Sequence, residues 1–274
     1  MDFLNYCRLQ GILIDHLPPV GVWRRYPTES HPHKRNGAVK YMIDHGFTQD
    51  WANNLEVEVW KSDGDHDFDR AKLMRDVKAA EDKKRAQQRE AAGKAAWILK
   101  QCQYGYHEYL KAKGYEDEQV MVWPKDGVKT MVIPMRVEGH LVGVQLIDEA
   151  GVKKFLLGQR TSGASFIFDN HGPNILCEGY ATALAIRKAL KNMKRRYKLH
   201  VCFSAGNMVK VAATLDGGFV VADNDASNTG KRVAEEIGWK YWMSDIEGED
   251  ADDALKRLGL FKFSQSLVKA IGPA

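Results

Sequence analysis

Three stretches decide the fold: Asn174–Ile186 (NILCEGYATALAI), Gly218–Lys231 (GFVVADNDASNTGK) and Ser244–Gly259 (SDIEGEDADDALKRLG). Asn174–Cys177 is a short apolar run and Tyr180–Lys191 carries apolar residues at helical spacing, so a strand leads into a helix. His200–Phe203 reads as a second strand, Met208–Leu215 as a short helix, Gly218–Ala222 as a buried strand, Gly230–Ile237 as a helix and Lys240–Met243 as a fourth strand. Four strands alternating with helices predict a parallel sheet with right-handed crossovers. In such sheets the working groups collect where the strands end.

Acidic residues stand at those ends. Glu178 follows the first strand, Asp223 and Asp225 follow the third, and Asp245, Glu247, Glu249, Asp250, Asp252 and Asp253 follow the fourth. A single acid after a strand is often a helix cap, and Asp250 can cap the helix that contains Ala254 and Leu255. Carboxylates converging from three strand ends repel one another and hold protons unless a cation neutralises them. Mg²⁺ or Mn²⁺ fits such a site, because hard cations prefer oxygen ligands.

Upstream, Lys129–Arg136 (KTMVIPMR), Gly139–Ile147 (GHLVGVQLI) and Lys153–Leu157 (KKFLL) are three strand-like runs separated by turn signals, a second β region. Residues 70–100 hold ten basic and four acidic side chains, no proline and one glycine, so a long, mostly exposed helix is expected there. That helix is either a solvated linker or a contact for phosphate chains. The first 62 residues alternate short apolar runs with Gly, Asn and Asp, the pattern of a small module of antiparallel strands. Within it Arg24, Arg25, Lys34 and Arg35 are interleaved with Trp23, Tyr26, Tyr41 and Trp51, which either stack bases or form the module's core together with Trp60.

The chain has 274 residues, 44% hydrophobic and 28% charged, with a net charge of +4, a globular composition. No run approaches the ~20 apolar residues of a membrane span, and the amino terminus lacks the pattern of a secretory signal, so a soluble, intracellular protein is expected. Cys7, Cys102, Cys177 and Cys202 form no CxxC pair and read as reduced thiols. His31, His33 and His45 lack partners at zinc spacing, so no zinc is expected.

The EG turn at Glu178–Gly179, the DxD at Asp223–Asp225 and the acidic run ending in Asp250 and Asp253 resemble, in this order, the Toprim domain of bacterial-type primases, topoisomerases, certain nucleases and recombination proteins. The match covers residues 172–260. The segments WILKQCQYGYHEYLKAKG and KTMVIPMRVEGHLVGVQLIDEAGVKKFLLGQRTSGASFIF are similar to the region before Toprim in plasmid- and phage-encoded primases, and VWRRYPTE with HKRNGAVKY resembles their metal-free amino-terminal module. The resemblance implies an α/β fold: a Toprim-like parallel sheet flanked by helices, preceded by a mixed α+β region and a small β module. Its expected divisions are 1–62, a basic helical linker at 63–100, an α+β primase subdomain at 101–171 and a catalytic domain at 172–274.

By the same resemblance, Glu178 is the general acid/base, and Asp223 and Asp225, with Asp250 and Asp253, hold Mg²⁺ or Mn²⁺. Here the last motif reads DADD where those primases often read DWND. Lys153, Lys154 and Arg160 are expected to meet template or triphosphate. The implied activity is synthesis of short RNA primers on single-stranded DNA from nucleoside triphosphates, in the cytoplasm of a bacterial host. No G-x-x-x-x-G-K-[ST] phosphate loop is present, so a separate replicative helicase is the expected partner. A metal-dependent Toprim nuclease and a non-catalytic single-strand-binding replication accessory are the alternatives.

Overall fold

The computed structural model describes residues 1–42, 44–51, 54–62, 70–125 and 127–272. These form seven helices and three sheets, a mixed α/β architecture in which two sheets are wholly antiparallel and parallel pairing is confined to four strands of the third. No helix among the described residues is long and apolar enough to cross a membrane. The chain divides into two compact units, Met1–Ala86 and Gln87–Ala274.

The first unit, expected as a small β-rich module, opens with a helix that the sequence reading does not place, α1 (Phe3–Leu9), capped by Asp2, whose carboxylate accepts from the Asn5 N–H at 2.8 Å. Strands β1 (Trp23–Tyr26), β2 (Gly37–Tyr41), β3 (His45–Asp50) and β4 (Asn54–Lys61) follow as an antiparallel sheet in that order. Phe3 and Cys7, one helical turn apart, pack with Ile12, Ile14, Val39 and Trp60, and Tyr26 and Tyr41 lean on the same cluster. The long helix α2 (Arg70–Gln101) begins in this unit and ends in the next.

In the second unit, β5 (Gln103–Gly105), α3 (Glu108–Ala112), β6 (Val120–Lys125), β7 (Val128–Val137), β8 (His140–Ile147) and β9 (Lys153–Phe155) supply an antiparallel sheet ordered β5-β6-β7-β8-β9. Its two faces are both covered. Val132, Val144 and Leu156 meet Ala91, Ala95 and Ile98 of α2, so the end of the basic helix is packed rather than solvated. Val120, Val122, Met131, Ile133 and Ile147 turn the other way and join the core of the third sheet, so residues on both sides of position 171 share one apolar interior.

That third sheet is built from β10 (Phe166–Asp169), β11 (Asn174–Cys177), α4 (Tyr180–Asn192), β12 (Lys198–Val201), α5 (Ala205–Ala212), β13 (Phe219–Ala222), α6 (Thr229–Ile237), β14 (Lys240–Met243) and α7 (Ala251–Ile271). Its order is β10-β12-β11-β13-β14, with β10 antiparallel to β12 and the other neighbours parallel. The strands are near-continuous apolar runs because both faces are buried. Ile175, Cys177, Phe219 and Val221 face α4 and α7, while Leu176, Val220 and Ala222 face α5 and α6, the alternation that a pleated strand imposes. Gly259 at φ 73° interrupts α7, placing a kink after its first turns.

The second strand lies two residues earlier than its apolar run suggests, and the helix after it begins three residues earlier. Phe203 sits at φ 68°, outside the strand conformation, and Ser204 precedes α5 at the cap position.

Candidate functional site

Glu178 leaves β11 with its chain held at both sides: Cys202 N–H donates to the Cys177 carbonyl and Phe203 N–H to the Glu178 carbonyl, each at 2.8 Å. Gly179 then caps α4 with extended backbone. Burial pushes the Glu178 carboxyl above its ordinary value, with the Lys153 ammonium opposing and Asp225 adding to the shift, and the Ala205 N–H at the start of α5 favours the charged form.

Asp223 follows β13, and its Oδ1 is buried without a hydrogen-bond partner. Burial first, and then the charges of Glu178, Asp250 and Asp225, push its pKa up to about 7 against the pull of Lys153. A buried acceptor without a donor is costly, and three like charges acting on the same carboxylate add to that cost. The backbone leaves it little room to move: a methyl group on Gly230 would lie 2.1 Å from the Asp223 carbonyl oxygen.

Asp225 is tied into its own loop. Its Oδ1 accepts from the Ser227 hydroxyl, from Ser227 N–H at 2.9 Å and from Thr229 N–H at 3.2 Å, and its Oδ2 accepts from Gly230 N–H at 3.2 Å. Partial burial works against its ionisation, but these donors outweigh it and hold the carboxyl below its ordinary value. Asp225 therefore orders the entry to α6 and keeps a full negative charge beside Asp223.

Asn224 fastens this loop to the next acidic segment, donating from its side chain to the Ser244 carbonyl at 3.1 Å while its N–H meets the Glu249 carbonyl at 3.1 Å. Asp250 caps α7, accepting at Oδ1 from Asp252 N–H at 2.8 Å and Asp253 N–H at 2.9 Å. Its Oδ2 takes the Thr182 hydroxyl at 3.4 Å, which ties it to the helix that starts after Glu178. Asp250 thus serves as a helix cap and stands among the site carboxylates at once.

The remaining acids divide. Asp250, Asp252 and Asp253 each offer an oxygen within 4.8 Å of the others, the one such group of three among the described residues. Fully buried Asp252 is neutralised from elsewhere: Tyr115 donates to it at 2.7 Å, and Lys256 and Lys113 lie at 2.8 and 3.2 Å. Asp253 is half-buried in the first turn of α7. Asp245 and Glu249 are both paired with Arg257 at 2.7–2.8 Å, which removes them from the central cluster.

Among the basic residues, strand β9 sorts the candidates. Alternation puts Lys153 and Phe155 on one face and Lys154 on the other, and it is Lys153 whose charge acts on Glu178 and Asp223. Arg160 is exposed, its Nε donating to the Ser162 carbonyl at 3.1 Å. The sequence does not single out Phe155 and Phe203, whose rings meet edge to face 6.3 Å apart and of which Phe203 bonds through its N–H to the Glu178 carbonyl.

The amino-terminal unit presents a different surface. Trp23 and Trp51 are exposed, Arg25 lies over the Trp51 ring at 4.7 Å, and Trp23 approaches Phe47 at 6.3 Å. Register places Trp23, Lys40, Phe47 and Val59 in one row across the sheet. Tyr26, Tyr41 and Trp60 belong instead to the core against α1, whereas Trp23 and Trp51, the other candidates for that core, stand outside it. His45 Nδ1 pairs with Asp44 at 2.6 Å and His31 Nδ1 with the Ser30 hydroxyl at 3.1 Å. The four cysteines are free, and burial pushes the Cys7 thiol up to about 12.

A scan against models of protein families finds no match to this chain, and a search of curated proteins finds no significant relative.

Proposed function

We propose that the chain is a Toprim-type primase that joins ribonucleotides on single-stranded DNA by metal-dependent nucleotidyl transfer. The observation that carries this reading is Asp223: a partly buried carboxylate with one buried, unpartnered oxygen, under the charges of Glu178, Asp225 and Asp250, where parallel strands of one mixed sheet end. Carboxylates suit a hard divalent cation, and we assign Asp223, Asp225 and Asp250 as its ligands with Asp253 at its margin, although among the described residues the three acids whose oxygens already lie within 4.8 Å of one another are Asp250, Asp252 and Asp253. Mg²⁺ or Mn²⁺ held there supplies charge neutralisation for a triphosphate and lowers the pKa of an attacking hydroxyl.

The chain's own groups do the rest. Glu178, whose carboxyl is held above its ordinary value, would take the proton of a primer 3′-hydroxyl. Lys153, on the face of β9 whose charge reaches the site, balances the negative charge of the phosphates. Asp225 keeps its loop closed over the start of α6. The exposed Trp23, Trp51 and Arg25 offer stacking and charge to a single strand, independently of the acidic site. Strand separation is left to a helicase partner.

A Toprim nuclease would use the same carboxylates with water as the nucleophile. Full-length protein incubated with labelled single-stranded DNA, ribonucleoside triphosphates and Mg²⁺ or Mn²⁺ separates the two by product length: new short ribonucleotide chains support the primase, and shortened DNA without them supports the nuclease.

A further inference from the structure

Beside the acidic site stand apolar side chains that neither the metal nor the proton transfer uses. Phe155 is 44% exposed and Leu157 99% exposed, two residues apart at the end of β9. Phe155 meets Phe203 edge to face, and the Phe203 N–H is bonded to the Glu178 carbonyl. Phe203 holds φ 68°, a conformation that bulky L residues rarely adopt and that is found where the surroundings hold a side chain in place. Lys153 shares the Phe155 face of the strand. Phe155 and Lys153 are thus brought, through Phe203, to the edge where Glu178 leaves β11.

We infer that Phe155, braced by Phe203, is the seat for the base of a nucleoside triphosphate whose phosphates lie between Lys153 and a cation held by Asp223. A base has an apolar face that matches the exposed ring, and a triphosphate has the charge that complements Lys153 and the cation. The seat accepts any base, because stacking needs only a π-face. Phe203 acts as a positioning residue through Phe155. The inference rests on the nucleotidyl-transfer reading of Glu178, Asp223 and Asp225.

The test is calorimetric titration of the full chain, in Mn²⁺, with ATP and with inorganic tripolyphosphate, which has the phosphates and no base. The parent protein should bind ATP more tightly than tripolyphosphate. Phe155→Ala should weaken ATP by roughly 5- to 150-fold, the range of one base stack, and leave tripolyphosphate unchanged. Phe155→Trp should retain ATP affinity, and Phe155→Leu, which keeps the apolar bulk without a flat π-face, should lose most of it. A pair that only packs would give Leu and Trp variants indistinguishable from the parent in their preference for ATP, which overturns the seat. Tripolyphosphate and ATP bound equally by the parent also overturns it while leaving the cation site standing. Binding of neither ligand removes both.

Discussion

Asp223→Asn changes one oxygen to a nitrogen in a carboxylate whose pKa burial and neighbouring charges raise, and the structure sets the sign of its effect. The folded pKa of about 7 exceeds the 3.8 of an ordinary aspartate, so the folded state binds this proton more tightly than the unfolded chain. Stability from this group is present at low pH and is lost as pH rises from about 4 through about 7. The difference corresponds to roughly 4 kcal/mol at alkaline pH, at about 1.36 kcal/mol per pKa unit. The asparagine side chain stays neutral at every pH, so without metal the variant should be more stable than the parent at pH 8, by on the order of 10 °C in Tm for a unit of this size. Added Mg²⁺ or Mn²⁺ should offset about 2.7 kcal/mol of the parent's deficit at a hundred times Kd, and should do little for the variant. Thermal unfolding of both proteins between pH 4 and 8, with and without metal, reads all of this. Parallel pH curves, or equal stabilisation of both proteins by metal, would refute the reasoning.

Gly230→Ala should destabilise the second unit by about 2 kcal/mol or more, read by denaturant unfolding, because its methyl would meet the Asp223 carbonyl oxygen at 2.1 Å and overpacked sites rarely adjust without cost. It should also weaken metal stabilisation, since the displaced backbone carries Asp223. The triple variant of Lys153, Lys154 and Arg160 to alanine should bind single-stranded DNA with a shallower salt dependence, by about 0.7 for each phosphate no longer neutralised. An unchanged slope would move the strand to the basic helix or to the Trp23 face. Metal analysis should find no stoichiometric zinc, and chelator should stop catalysis while the circular dichroism of the folded protein persists.

Much of the third sheet was legible because its strands are short apolar runs followed by Glu178–Gly179 or Asp223-Asn224-Asp225, and its helices keep a 3.6-residue period. What failed to show was non-local. One partner of Asp252 is Tyr115, 137 positions away, and nothing near either residue announces the pair. The approach of Lys153 to Glu178 depends on β9 lying beside β8, and no local pattern distinguishes it from Lys154. The apolar run at His200–Phe203 reads as a strand throughout because propensity cannot see that Phe203 has crossed to positive φ. The covered end of α2 was hidden by its charge: Ala91, Ala95 and Ile98 form a thin stripe that ten basic residues obscure. Helix α1 was within reach, since Asp2 as cap and the Phe3–Cys7 spacing are both local signals.

The central claim is that Glu178, Asp223 and Asp225 form one metal-dependent transfer site, and primer synthesis by Glu178→Gln tests it most directly. Glutamine keeps the shape and removes the proton-accepting charge, so full-length variant, single-stranded DNA, ribonucleoside triphosphates and Mg²⁺ or Mn²⁺ should yield primers about 10²–10⁴-fold more slowly than the parent, with the fold and metal-dependent stabilisation intact. Primer synthesis at the parental rate would contradict the account.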